Sequence, residues 1–192
     1  MPAQIKSHHN APRHDNLTPS AWVVRFADLV PSSGTVLDVA AGRGRHALLF
    51  ARRGCRVTAI DRDSEALAGL AEEAGIETIR ADLEDGSPWP LAGQRFDAVV
   101  VVNYLYRPLL PVLCDAVATG GVLIYETFAQ GNEAFGQPRN PDFLLRDGEL
   151  LEAVQGRLRV IAYEHGKLAL PRPAVIQRIC AGRDSDPKTS IL

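Results

Sequence analysis

The chain has 192 residues, 46% of them apolar, which suits one domain of ordinary size with a full core. Its formal charge of -2, with no long basic run, disfavours a nucleic-acid substrate, because binding a phosphate backbone leaves a positive footprint. Cys55, Cys114 and Cys180 are isolated and odd in number, so neither a disulfide framework nor a metal site is indicated, and the longest apolar stretch, 98–102, is far below the ~18 residues needed to span a membrane.

Residues 1–16 are polar and carry His8, His9 and His14. They read as a loose or lid-like arm without the apolar core of a signal peptide, so a soluble, cytoplasmic protein is expected. Thr18 and Pro19 are placed as N-cap and first-turn residue of a helix. Trp22, Val23, Phe26, Leu29 and Val30 fall on one face of it, and Pro31 ends it.

Residues 34–61 organise the rest of the chain. Thr35 to Val39 reads as a buried strand, Ala40 to Gly44 as a tight small-residue turn, Arg45 to Arg53 as a helix stopped by Gly54, and Arg56 to Ile60 as a second strand ending on Asp61. An acid thus stands at the tip of each strand, Asp38 and Asp61. Gly42 and Gly44 let a ligand lie against bare backbone at the helix start. Asp61, about 20 residues beyond the turn, suits the two ribose hydroxyls of a nucleoside. A carboxylate at Asp38 repels a pyrophosphate but suits a ligand bearing an ammonium group. Ala47 stands where a dinucleotide fingerprint places its third glycine.

Asp38-Val-Ala-Ala-Gly-Arg-Gly-Arg resembles motif I of the class I S-adenosylmethionine (SAM)-dependent methyltransferases, and Asp61 resembles their ribose-binding acid. Ala40 departs from the motif, which usually has its first glycine there. The resemblance covers residues 17–182 and implies a Rossmann-like α/β fold. Its sheet has seven strands, mostly parallel, in the order 3-2-1-4-5-7-6, with strand 7 antiparallel and helices on both faces. It implies SAM as cofactor and S-adenosylhomocysteine as product. The implied cofactor residues are Asp38, Ala40, Gly42, Gly44, Asp61 and the adjacent Arg62.

Further along, Asp63 or Ser64 can cap a helix that buries Ala66, Leu67, Leu70, Ala71 and Ala74. Ile76 to Arg80 is a third strand. Asp82 after it resembles the acid that accepts from the adenine amine, with Leu83 at the ring. Residues 84–95 form a loop in which Trp89 is a packing anchor. Phe96 to Val102 is a strongly apolar central strand ending at Asn103-Tyr104-Leu105-Tyr106. Strand tips of this kind are where open α/β sheets place their chemistry. By position this is motif IV. Asn103 is expected at the methionine part of SAM, and Tyr104 and Tyr106 either line the acceptor site or pack at the strand end. The absence of an Asn/Asp-Pro-Pro-aromatic run and of a Pro-Cys nucleophile argues against amino-methylating DNA enzymes and cytosine-C5 enzymes.

Residues 108–118 read as a helix ended by Gly120 and Gly121, and Val122 to Glu126 as the fifth strand. Glu126 is either a general base or a structural carboxylate. Residues 127–146 form a long connection in which Phe128, Phe135 and Phe143 argue for order and Arg139 offers a polar contact to substrate. This stretch looks like a feature of a small group of bacterial methyltransferases broadly similar to the tellurite-resistance type. Asp147 can cap a helix with Leu150, Leu151 and Val154. Leu158 to Tyr163 and Ala174 to Cys180 are the last strands, joined by a connector holding His165, Lys167 and Arg172, and residues 183–192 read as a free tail. The leading expectation is methyl transfer to a small molecule, of unknown oligomeric state and with no single indispensable catalytic side chain. An RNA or protein methyltransferase, a non-enzymatic SAM-binding module and a nicotinamide dehydrogenase remain as alternatives.

Overall fold

In a computed structural model, residues 17–170 and 172–184 are described. The N-terminal arm therefore lies outside the described residues. Seven strands form one sheet in the order β3-β2-β1-β4-β5-β7-β6. They are β1 (Thr35–Val39), β2 (Arg56–Asp61), β3 (Ile76–Arg80), β4 (Phe96–Val102), β5 (Val117–Phe128), β6 (Arg159–Leu168) and β7 (Ala174–Gly182). The pairs β3–β2, β2–β1, β1–β4 and β4–β5 are parallel, and β7 is antiparallel to both β5 and β6. This is the expected order and the expected hairpin.

Strand parity splits the core into two layers. Leu37, Val39, Val99, Val101, Tyr125 and Ile179 face one side with the helices α4 (Leu110–Asp115) and α5 (Glu149–Val154). Val36, Ala59, Val100, Ile124 and Cys180 face the other with α1 (Ala21–Phe26), α2 (Arg45–Arg52) and α3 (Ser64–Ala68). The three cysteines are free and buried. Among the described residues no helix is long and apolar enough to cross a membrane.

Several local expectations are corrected. The N-cap of α1 is Ser20, whose side chain accepts from the Trp22 N–H at 3.1 Å, and not Thr18. The run then tightens into a 3-10 turn over Ala27–Leu29, which rotates Leu29 out to solvent. α3 stops at Ala68, leaving Ala71 and Ala74 exposed; β3 is the sheet edge, so only Leu67 and Leu70 find a surface to cover. The helix expected over 108–118 is a 3-10 turn (Arg107–Leu109) followed by the short α4. Gly120 and Gly121 do not end it but lie inside the twelve-residue β5. A side chain at Gly121 would meet the Phe96 and Asp97 carbonyl oxygens within 3 Å, so glycine is needed there for close approach of two backbones at an irregular register.

The connection 127–146 is shorter than it reads, because Thr127 and Phe128 belong to β5 and Ala129 bridges Leu145. Buried Asn132 ties it to the hairpin, donating to the Pro138 carbonyl and accepting from the Val175 N–H, each at 3.2 Å. Arg107 reaches across to donate to the carbonyls of Asp142 (2.7 Å) and Leu144 (2.8 Å) and to the buried Glu149 carboxylate (2.6 Å). Burial pushes the Glu149 carboxyl up, but the Arg107 and Arg146 hydrogen bonds outweigh it and hold it below the usual range. Asp147 does not cap α5, whose N-cap is Gly148; its carboxylate meets His165 at 2.9 Å. His165 and Lys167, expected in a connector, lie in β6. Arg183 and Asp184, expected in a tail, are tethered: Arg183 exchanges main-chain hydrogen bonds with Gly120 and Gly121, and Asp184 pairs with Arg159.

Candidate functional site

The turn after β1 is built from left-handed backbone. Ala40, Gly42 and Gly44 have φ of 53°, 54° and 71°. Ala40 carries a strained conformation at a place suited to glycine. At Gly42 a side chain would meet nothing within 4 Å, so open space faces the backbone there, whereas at Gly44 it would strike Leu70 at 2.4 Å. Gly44 is also the N-cap of α2 and has no side chain to cap it. Asp38 does that from the neighbouring strand, its Oδ2 accepting from the Ala47 N–H at 2.9 Å. The Asp38 carboxylate is therefore engaged at the helix start and buried.

Burial pushes the Asp38 carboxyl up to about 7, against the pull of the Ala47 N–H and the Arg45 charge. His46 beside it is buried too, and desolvation together with Arg45 lowers its imidazole to about 3. Its Nε2 accepts from the Ser20 N–H at 3.2 Å, which assigns the proton to Nδ1, 3.9 Å from Asp38 Oδ1. Arg45, half-buried, is lowered by desolvation and sustained by the charges of Glu126 and Asp38.

Asp61 closes the same turn from β2. Its Oδ2 accepts from the Gly42 N–H at 2.7 Å and its Oδ1 from the Asp63 N–H at 2.9 Å. Each oxygen keeps a second lone pair. Beyond it lies an open cavity of about 810 Å³ whose lining includes Arg62, Asp82, Leu83, Trp89 and Leu109. Arg62 and Asp82 face each other across 3.9 Å. Trp89 packs on the core and lines this cavity at once.

The tip of β4 is left-handed at Asn103 (φ 59°), which lies exposed and donates its N–H to the Glu126 carbonyl at 2.9 Å. Tyr104 and Tyr106 pack against the α4–α5 layer, with Leu83 and Trp89. The Tyr104 hydroxyl is buried without a hydrogen-bond partner among the described residues; burial, then the nearby Glu84 charge, raises its pKa well above the phenol range. Glu126 points to the opposite layer. Its Oε1 accepts from the Ser20 hydroxyl at 2.8 Å and its Oε2 from Arg178 at 3.2 Å. Arg178 also binds Glu164 at 2.6 Å, and Arg25 closes the circuit on Glu164 at 2.9 Å. Arg139 is exposed on the 127–146 connection. The structure thus brings the turn, Asp61, Arg62, Asp82 and Leu83 together, and separates the two tyrosines from Glu126.

Four site residues escape a reading of the sequence. Ser20 had a signal, a cap residue next to an apolar run, but Thr18-Pro19 beside it carries the same signal. His46 and Arg45 look like ordinary helix residues until Ser20 and Glu126 arrive from 26 and 81 positions away. Arg178 alternates correctly for a strand, and nothing local announces its acids. Among the described residues no group of three or more His, Cys, Asp or Glu side chains is placed to hold a metal ion.

Residues 36–119 match a family model described as a methyltransferase domain. TehB from Haemophilus influenzae superposes with a TM-score of 0.70 at 20% identity, over 86% of this chain and 63% of that one. An S-adenosylmethionine-dependent methyltransferase from Mesorhizobium loti superposes with a TM-score of 0.69 at 18% identity, over 88% of this chain and 100% of that one. A curated relative, ribosomal RNA small subunit methyltransferase H of Gemmatimonas aurantiaca, is 45% identical over 47 residues, which are 24% of this chain and 15% of the relative. The chain therefore spans less than two thirds of TehB and a small part of the curated relative. Residues 36–119 are thus similar to a methyltransferase domain, and the chain as a whole adopts the fold of SAM-dependent methyltransferases of known structure.

Proposed function

We propose that the protein is an enzyme that transfers the methyl group of SAM to a small-molecule acceptor. The observation that carries this reading is the turn locked by Asp61 onto the Gly42 N–H beside the 810 Å³ cavity. The residues fit the cofactor. Open space lies over Gly42, an acid with free lone pairs stands at Asp61, and apolar Leu83 and Trp89 with polar Asp82 line the space beyond. When bound, SAM supplies a methyl carbon made electrophilic by its sulfonium.

The chain's own residues bind and orient. Asp61 accepts from the ribose hydroxyls while holding Gly42 in place. Asp82 accepts from the adenine amine, Leu83 lies at the ring, and Arg62 steadies Asp82. Ala40, Gly42 and Gly44 keep the backbone free of bulk at the methionine part, and Asn103 flanks it from β4. Asp38 acts through the helix start that it caps. Glu126 faces the acceptor side as a carboxylate held by Ser20 and Arg178, so it positions rather than removes a proton. Tyr104 and Tyr106 belong to the wall on the adenine side, and Arg139 is left to the rim. Alignment and exclusion of water do the rest.

The short match to an RNA methyltransferase favours a second reading, transfer to RNA. The formal charge of -2 weighs against it. Incubation with methyl-labelled SAM and a panel of small thiols, phenols and carboxylic acids, beside total RNA, separates the two. Label in a small molecule supports the proposal, and label in RNA alone overturns it.

A further inference from the structure

On the α1 side of the sheet the ends of β5, β7 and β6 run in register. Glu126, Arg178 and Glu164 form one cross-strand row, and Phe128, Ile176 and Gly166 form the next, nearer the strand tips. A cavity of about 430 Å³ opens here, lined by Glu164, Gly166, Leu168, Ile176 and Arg178 among others. Arg178 joins it to the site already described, because its partner Glu126 accepts the Asn103 N–H through its carbonyl. A side chain built at Gly166 would meet nothing within 4 Å, so the middle of the floor is bare.

The charges of this face cancel among themselves. Glu126 and Glu164 are matched by Arg178 and Arg25, and Arg178 lies over the Trp22 ring at 4.7 Å. A charged ligand would have to break one of these pairs and desolvate the partner left behind. Tyr163, His165 and Lys167 also line the cavity, but by strand parity their side chains leave on the other face, where His165 meets Asp147 at 2.9 Å and Lys167 lies 4.4 Å from the Phe135 ring. The apolar side chains that remain for contact are Ile176 and Leu168, beside the bare Gly166.

We propose that this cavity seats the methyl acceptor and selects an uncharged small molecule with an apolar body, lying over Gly166 against Ile176 and Leu168. The assignment of the ligand as methyl acceptor rests on the methyl-transfer reading above; the preference for an uncharged, apolar molecule rests on the cavity alone. Gly166 has an ordinary backbone conformation, so Gly166→Leu fills the floor without backbone strain, and Gly166→Ala fills it in part.

The test titrates the full chain, with and without S-adenosylhomocysteine, with three probes of one shape: para-cresol, para-toluate and para-methylbenzylammonium. Methyl NMR shifts of Ile176 and Leu168 are the readout. Para-cresol is expected to move both methyl groups and to bind at least about tenfold more tightly than either charged probe. Gly166→Leu is expected to abolish this and Gly166→Ala to weaken it, with S-adenosylhomocysteine affinity unchanged in both. Equal or tighter binding of a charged probe, or cresol binding that survives Gly166→Leu, overturns the proposal. Failure of S-adenosylhomocysteine to bind would instead sink the methyl-transfer reading, while the cavity's preference is still read from the cofactor-free titration.

Discussion

The two halves of the sheet are held together differently. Around β1, β2 and β4 the site is made by neighbours in sequence: a turn of five residues, its two acids and the helix it opens. Around β5, β6 and β7 it is made by partners tens of positions apart, such as Ser20 with Glu126 and Arg107 with Glu149. The first half is a local backbone solution. The second is a set of charged side chains that depend on one another.

That contrast predicts where each half breaks. Arg107→Ala should be the most damaging change, because it leaves the buried Glu149 carboxylate with only the exposed Arg146 for company. A loss of about 3 kcal/mol in denaturant stability is expected, with the 141–145 segment exchanging amide hydrogens faster. Stability within about 0.5 kcal/mol of the parent would mean that the connection is held by packing alone. Gly44→Ala should cost about 2 kcal/mol, through overpacking against Leu70 and the left-handed backbone. Adding Leu70→Ala should recover the steric share, so the double mutant should not be additive.

A smaller effect separates charge from packing in the first half. Asp38 favours its proton in the folded state, so its contribution to stability is complete below 3.8 and is lost as pH rises through about 7. His46 disfavours its proton when folded, so its contribution is complete above 6.5 and is lost as pH falls towards about 3. The two slopes oppose each other over most of the window. His46→Gln, which keeps an acceptor for Ser20, should therefore expose a stability that falls with pH between about 4 and 7, and Asp38→Asn one that rises over the acid range. Thermal melts across pH show this directly, and flat profiles for both variants would contradict it. The smallest effect is a gain: Ala40→Gly should relieve the left-handed strain and stabilise by up to about 1 kcal/mol, with SAM affinity kept.

The same contrast explains what was legible in the sequence. Strand periods, the glycines at 42 and 44 and the acids at 38 and 61 are local signals: the periods locate the strands, and the motif carries the resemblance that implies the observed sheet order. The capping role of Asp38 is not legible, because its charge suggests a ligand's ammonium group and nothing in the sequence points its side chain at the Ala47 N–H. Helix lengths are not legible because apolar periodicity continues past the last buried turn, as at Ala71 and Ala74. Gly120 and Gly121 read as a helix stop, since a close approach between β4 and β5 leaves no mark in either strand alone. In the second half, Arg178 and Ser20 acquire meaning only from the acids that the fold brings to them.

The central claim is that Asp61 organises a nucleoside site. Calorimetric titration of S-adenosylhomocysteine into the parent chain and into Asp61→Ala tests it most directly. The parent should bind, and the variant, folded by circular dichroism, should bind about 10- to 100-fold more weakly, as expected for losing hydrogen bonds to a charged acceptor. Equal affinity in the two proteins would contradict the assignment of the turn and of the cofactor site built around it.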